Sequence, residues 1–201
     1  MEYFVYGRDA PRGSALRTDE LGEAHWSYMD GYASAMIARG PTLTPDRLTA
    51  TGSMHIVDLP DAAAAQRFAF EEPYYRAGVF CEVLLRRWRN TLGRTMWDFD
   101  GSAFDGQRFL IIGHGKPGMD PTHDALADSH HRYLADHGYL DHFIERGPLL
   151  SDDGSTWSGS ALLVQLPDRV TVEAMLADEP FVRACMYESV EVHDWQFGGR
   201  S

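Results

Sequence analysis

Short apolar runs and helical spacings alternate along this chain in an order that occurs twice. Tyr3-Phe4-Val5-Tyr6 is aromatic and β-branched, which predicts a strand. Residues 8–17, with Pro11 and Gly13, predict a loop. Thr18 predicts a helix cap ahead of acidic residues Asp19, Glu20 and Glu23, which suit the positive end of a helix. Apolar positions then recur at helical spacing (Leu21, Ala24, Tyr28, Met29, Tyr32, Met36), so the helix is expected to run to Arg39 and stop at Gly40-Pro41, which begins an extended segment. Residues 52–59 predict a strand, 62–70 a helix capped by Asp61 and ended by Pro73, and 78–88 a closing strand. The second half predicts strands at 108–113, 147–150, 159–166 and 184–195, with helices at about 124–145 and 170–177.

The order is β-α-β-β-α-β in each half, the ferredoxin-like arrangement. Landmarks repeat in register at offsets of 105 to 107 residues. His25 answers His130, Arg39-Gly40-Pro41 answers Arg146-Gly147-Pro148, and Gly52-Ser53 answers Gly159-Ser160. Glu72-Pro73-Tyr74 answers Glu179-Pro180-Phe181, and each half closes on a tryptophan, Trp88 and Trp195. The expected domains are 1–89 and 108–201, joined by an aromatic-rich linker, 90–107. A four-stranded sheet with both helices on one face leaves its other face in need of cover. The expected fold class is therefore α+β, two repeats packed sheet to sheet as an intramolecular dimeric α/β barrel.

Composition narrows the function classes. A net charge of −12 gives no basic stripe for a nucleic-acid backbone. The halves differ, at −3 for 1–100 and −9 for 101–201. No apolar run reaches the roughly 18 residues of a membrane span, and the start has no signal pattern, so a cytoplasmic protein is expected. Cys81 and Cys185 imply no disulfide framework and are expected as buried free thiols.

These landmarks together resemble the YCII (YciI-like) family of small dimeric α/β-barrel proteins, across nearly the whole chain outside the linker and tail. The resemblance implies a His–Asp pair in a cleft beside the sheet, and in some members lyase chemistry on hydroxylated aromatics. On this chain the histidine falls at His25 and His130, and the serine at Ser53 and Ser160; the aspartate is replaced by Glu72 and Glu179.

Histidine exchanges a proton near neutrality, and a carboxylate on one ring nitrogen fixes the tautomer and makes the other a better base. His25 and Glu72 lie 47 residues apart, so only folding can join them, and Glu71 or Asp178 could serve in place of the neighbouring glutamates. Ser53 and Ser160 can donate to a substrate oxygen, or merely begin strands where backbones approach closely. Tyr28 and Tyr74 are candidate substrate-binding aromatics. His130-His131, His137 and His142 lack metal-ligand spacing, and Gly113-His114-Gly115 lacks the later glycine of a dinucleotide loop, so neither a metal nor a cofactor is called for. The expected function is a cofactor-independent lyase or isomerase on a small aromatic or polyketide-like molecule, as a pseudo-dimeric monomer or a homodimer. The alternatives are a non-catalytic binding protein and an oxygenase on the same fold.

Overall fold

The computed structural model describes residues 1–103 and 105–199; Phe104, in the linker, and the last two residues lie outside them. The chain forms two compact units, Met1–Trp88 with Asp194–Ser201, and Arg89–His193. The first unit runs β1 (Glu2–Asp9), α1 (Gly13–Leu16), α2 (Asp19–Asp30), β2 (Met36–Leu43), β3 (Ala50–Asp58), α3 (Ala62–Phe70), α4 (Pro73–Arg76) and β4 (Phe80–Trp88). The second runs β5 (Gln107–Gly115), α5 (Asp120–Asp136), β6 (Phe143–Leu150), β7 (Trp157–Leu166), α6 (Arg169–Ala177), α7 (Pro180–Arg183) and β8 (Tyr187–Trp195). Setting aside the one-turn helices α1, α4 and α7, both units are β-α-β-β-α-β. The fold is α+β, and none of the helices is long and apolar enough to cross a membrane among the described residues.

In the first unit β1 lies between β3 and β4, and β2 flanks β3, all antiparallel. In the second, β5 lies between β7 and β8, with β6 beyond β7. Strand alternation sends Tyr3, Val5 and Val57 into a core with Met29 and Phe68 from the helices. Phe109, Ile111 and Val164 meet Leu134, Val172 and Met175 in the second unit. Phe4 and Leu110, on the opposite sheet faces, are fully buried as well, so these strands are shielded on both sides.

Three expectations change. The first long helix ends at Asp30, where Gly31 caps it, and Met36–Leu43 is already a strand; its counterpart ends at Asp136 and Phe143–Leu150 is a strand. Met29, Tyr32 and Met36 fit a helical stripe, yet Met36 turns inward from a strand, because an apolar residue every few positions satisfies either period. Next, Pro73 and Pro180 do not merely end a helix but open a new one, each at its first position. Last, Cys81 and Cys185 are free as expected but exposed, Cys185 being held at a positive φ of 53° in the turn before β8. Within the linker Met96 and Phe99 are buried while Trp97 is exposed.

Candidate active site

Glu72 and Glu179 are helix caps. The Glu72 carboxylate accepts the backbone N–H groups of Tyr74 at 3.0 Å and Tyr75 at 2.8 Å, and Glu179 accepts that of Val182 at 3.0 Å. Proline at the following position has no N–H to satisfy, so Glu-Pro starts a helix with little left unpaired. The cap holds each carboxylate inward, at 3% and 4% exposure, while Glu71 and Asp178 remain in solvent.

Each buried carboxylate meets the histidine of its own unit. His25 Nδ1 lies 2.5 Å from Glu72 Oε1, and His130 Nδ1 lies 2.5 Å from Glu179 Oε1. A carboxylate at Nδ1 favours the tautomer that donates from Nδ1 and leaves Nε2 facing away from the glutamate. The same short helices supply an aromatic floor. Tyr74 stacks on His25 at 4.2 Å and 12°, and Phe181 stacks on His130 at 4.4 Å and 7°. One turn of chain therefore fixes each imidazole in both direction and plane.

The serines arrive by strand register. Ser53 sits opposite Gly7 and Ser160 opposite Gly113. A Cβ on either glycine would run into an aromatic ring, Phe80 in the first unit and Tyr187 in the second. Only Tyr187 has a hydroxyl, and it shares a 3.0 Å hydrogen bond with Ser160 Oγ. Burial, and secondarily the Glu179 charge, push the Tyr187 phenol far above its ordinary range, so it stays protonated. Ser53 faces an apolar ring instead. The Tyr187 position was not among the sequence candidates; the signal available was a hydroxyl added to one copy of a repeated aromatic.

The environments diverge further. Beside His130 opens a cavity of about 230 Å³, lined by His131, Arg89, Arg146, Ser160 and Phe181 among others. A recess of about 20 Å³ bounded by His130, Ser160, Glu179 and Tyr187 lies next to it. In the first unit the space near Ser53, His55 and Glu72 is about 10 Å³, at the lower limit for one water. His25 is 3% exposed there, against 20% for the His130 side chain. Trp26, at the position of His131, packs its edge on His25 at 5.3 Å, and Arg39 lies 5.8 Å over Trp26. His55, at the position of Leu162, is held neutral well below the ordinary histidine range by burial first, then by His25 and the arginines Arg39 and Arg17. Tyr74 is covered by Arg17 at 4.4 Å, itself paired to Asp9. Tyr28 lies away from this space: its hydroxyl donates to the Arg67 carbonyl at 3.1 Å and its ring lies against Phe68. No cluster of three or more potential metal ligands occurs among the described residues.

A family model described as YCII-related domain matches residues 1–89 and again 107–196. No curated protein matches the chain. Among solved structures, a mutant chlorite dismutase from Candidatus Nitrospira defluvii is similar at a TM-score of 0.61 and 10% identity, over 98% of this chain and 91% of that one. An anthrone oxidase-like protein is similar at 0.60 and 12%, over 98% and 90%. A 5-chloro-2-hydroxyhydroquinone dehydrochlorinase from Burkholderia phenoliruptrix shares 23% identity over 45% of this chain and 95% of its own, at a TM-score of 0.41. At these identities the first two likenesses speak for the fold alone, and the third carries no argument.

Proposed function

Because the chain belongs to the YCII-related domain family, with that domain present twice, we propose that it is a cofactor-independent enzyme whose working site is the second-unit cavity. The observation that carries this reading is the 2.5 Å contact of His130 Nδ1 with Glu179 on a ring that also borders a cavity of about 230 Å³. His130 Nε2 takes a proton from a carbon beside a carbonyl of a small aromatic or polyketide-like substrate. The released electron pair moves onto an adjacent carbonyl oxygen, where the Ser160 hydroxyl donates a hydrogen bond. Tyr187, kept protonated, donates to Ser160 and so turns the serine hydrogen toward the substrate. Return of the proton to another atom completes an isomerisation or cyclisation; loss of a leaving group completes an elimination or dehydration. Glu179 is the positioning residue that stabilises the imidazolium between the two steps. His25 and Glu72 keep the same pair in a unit with no room for a substrate.

The test is turnover of hydroxylated aromatic and polyketide candidates, chosen from the reactions of neighbouring genes, by the wild type, His130→Ala and His25→Ala. His130→Ala is expected to lower kcat by about 10²- to 10⁴-fold, while kcat per folded molecule of His25→Ala stays within about threefold of wild type. Equal activity in all three proteins, or a larger loss at His25, overturns the assignment.

A further inference from the structure

The second-unit cavity is cationic in an acidic protein. Arg89, Arg146, His123, His130 and His131 line it, and no aspartate or glutamate does. The Arg146 guanidinium is half-buried; its Nη2 lies 3.4 Å from His131 Nδ1, and the group sits 5.5 Å over the Phe143 ring. Its Nε is buried with no hydrogen-bond partner. Burial also lowers the Arg146 pKa, the direction expected of a cation taken from water with nothing to replace it. Among the described residues no carboxylate pairs with Arg146 or Arg89. Thr91 Oγ1 donates to the Arg146 carbonyl at 2.7 Å, and the Arg89 backbone N–H donates to the Pro148 carbonyl at 3.3 Å. Those two bonds bring Arg89 to the rim above Arg146.

The duplicated unit provides the comparison. Arg39 occupies the position of Arg146 and lies 3.7 Å from Asp30. The residue at Asp30's position in the second repeat, 105 further on, is Ala135. One copy carries its own counter-ion and is closed. The other has lost the counter-ion and is open.

We infer that the second-unit cavity binds its ligand as a small organic anion, a carboxylate or phenolate held by Arg146 and Arg89, with its ring or chain against Phe181 and its reacting atom toward His130. The inference rests on that cavity being the working site, and it names the substrate class: one-ring acids and acidic phenols. Two guanidinium groups without carboxylates, one half-buried, favour an anion over a neutral molecule of the same shape, because charge-assisted bonds to Arg are about twice as strong as neutral ones.

The experiment is an amide-resolved NMR titration of the full chain with benzoate and with benzamide, its neutral isostere. Benzoate is expected to shift Thr91, Ala127, Gly147 and Ser160 and to bind at least about tenfold more tightly than benzamide. Arg146→Gln and Arg89→Gln are each expected to weaken benzoate by about fivefold or more with benzamide unchanged. Arg146→Lys, which keeps the charge, is expected to recover part of the loss. Arg89 is exposed, so its variant carries the test even where Arg146→Gln fails to fold. Equal affinity for benzoate and benzamide overturns the inference, as do shifts confined to other surfaces or unchanged benzoate affinity in Arg89→Gln. Binding is read without turnover, so loss of benzoate selectivity sinks the anion site alone. Full activity of His130→Ala sinks the proton-transfer reading alone.

Discussion

His55 is the residue at which the two copies differ most in charge behaviour. It is buried beside His25, 5.7 Å ring to ring, and edge-on to Phe68 at 5.6 Å. Burial and neighbouring positive groups hold its folded-state pKa well below 6.5. In the unfolded chain it titrates near its ordinary value, so below about pH 6.5 the unfolded state binds a proton that the folded state does not. Stability is therefore complete above that pH and falls as acid is added, down to the lowered folded pKa. His55→Leu, which copies Leu162 of the second repeat, is expected to flatten the fall in Tm between pH 7.5 and 5. Parallel Tm–pH curves for wild type and variant would contradict this. The glutamates make a related point about length. Glu72 and Glu179 each reach a backbone N–H of the next turn and an imidazole at once.

The strands around the site work by what they leave out. Gly113 on β5 makes room for the Tyr187 ring of β8, which then reaches Ser160 on β7. Gly113→Ala is expected to push that ring off Ser160, at a cost of about 1–3 kcal/mol in stability and with a loss in kcat. Denaturant unfolding and turnover measured together check it, and an unchanged stability would show that the ring has slack. Much of this scale could be read from the sequence. The β-α-β-β-α-β order and the paired serines follow from landmarks in register; the family resemblance implied the pairing of His25 with Glu72 and of His130 with Glu179, with Glu71 and Asp178 left open until the caps are seen. The helix ends after Asp30 and Asp136 could not be placed, because Met36 and Phe143 fit a helical stripe as well as a strand. Exposure of the cysteines was not legible, because small apolar character says neither which face of β4 Cys81 takes nor which way the turn before β8 points Cys185. Tyr187, Arg89 and Arg146 were illegible as a group, since they come from β8, the residue just after β4 and β6. Their relation exists only after strand pairing.

Under the proposed assignment, duplication separates roles that a symmetric pair would have to share. His25 is buried and bonded to a buried carboxylate, whereas His130 borders open space. His25→Ala is expected to cost about 3–5 kcal/mol, because it empties a closed site, removes the ring stacked on Tyr74 and leaves buried Glu72 with its two backbone N–H bonds alone. His130→Ala is expected to cost less than half as much while removing the activity. Thermal or denaturant unfolding of the two variants checks the order, and a greater loss of stability at His130 would reverse the reading of which copy is structural. The acidic excess of the second half, −9 against −3, surrounds rather than lines the cavity. An anionic ligand therefore meets Arg89 and Arg146 at the cavity with no carboxylate among the lining residues.

The Glu-Pro cap has a consequence for how such copies age. Its carboxylate starts a helix and holds an imidazole at the same time, so a copy that gives up chemistry cannot discard it without also giving up the turn it begins. Selection on folding alone is then enough to preserve a complete-looking histidine–glutamate signature in a retired site. In a chain of this kind the signature certifies ancestry. Vacant space beside the imidazole is what separates an employed copy from a pensioned one.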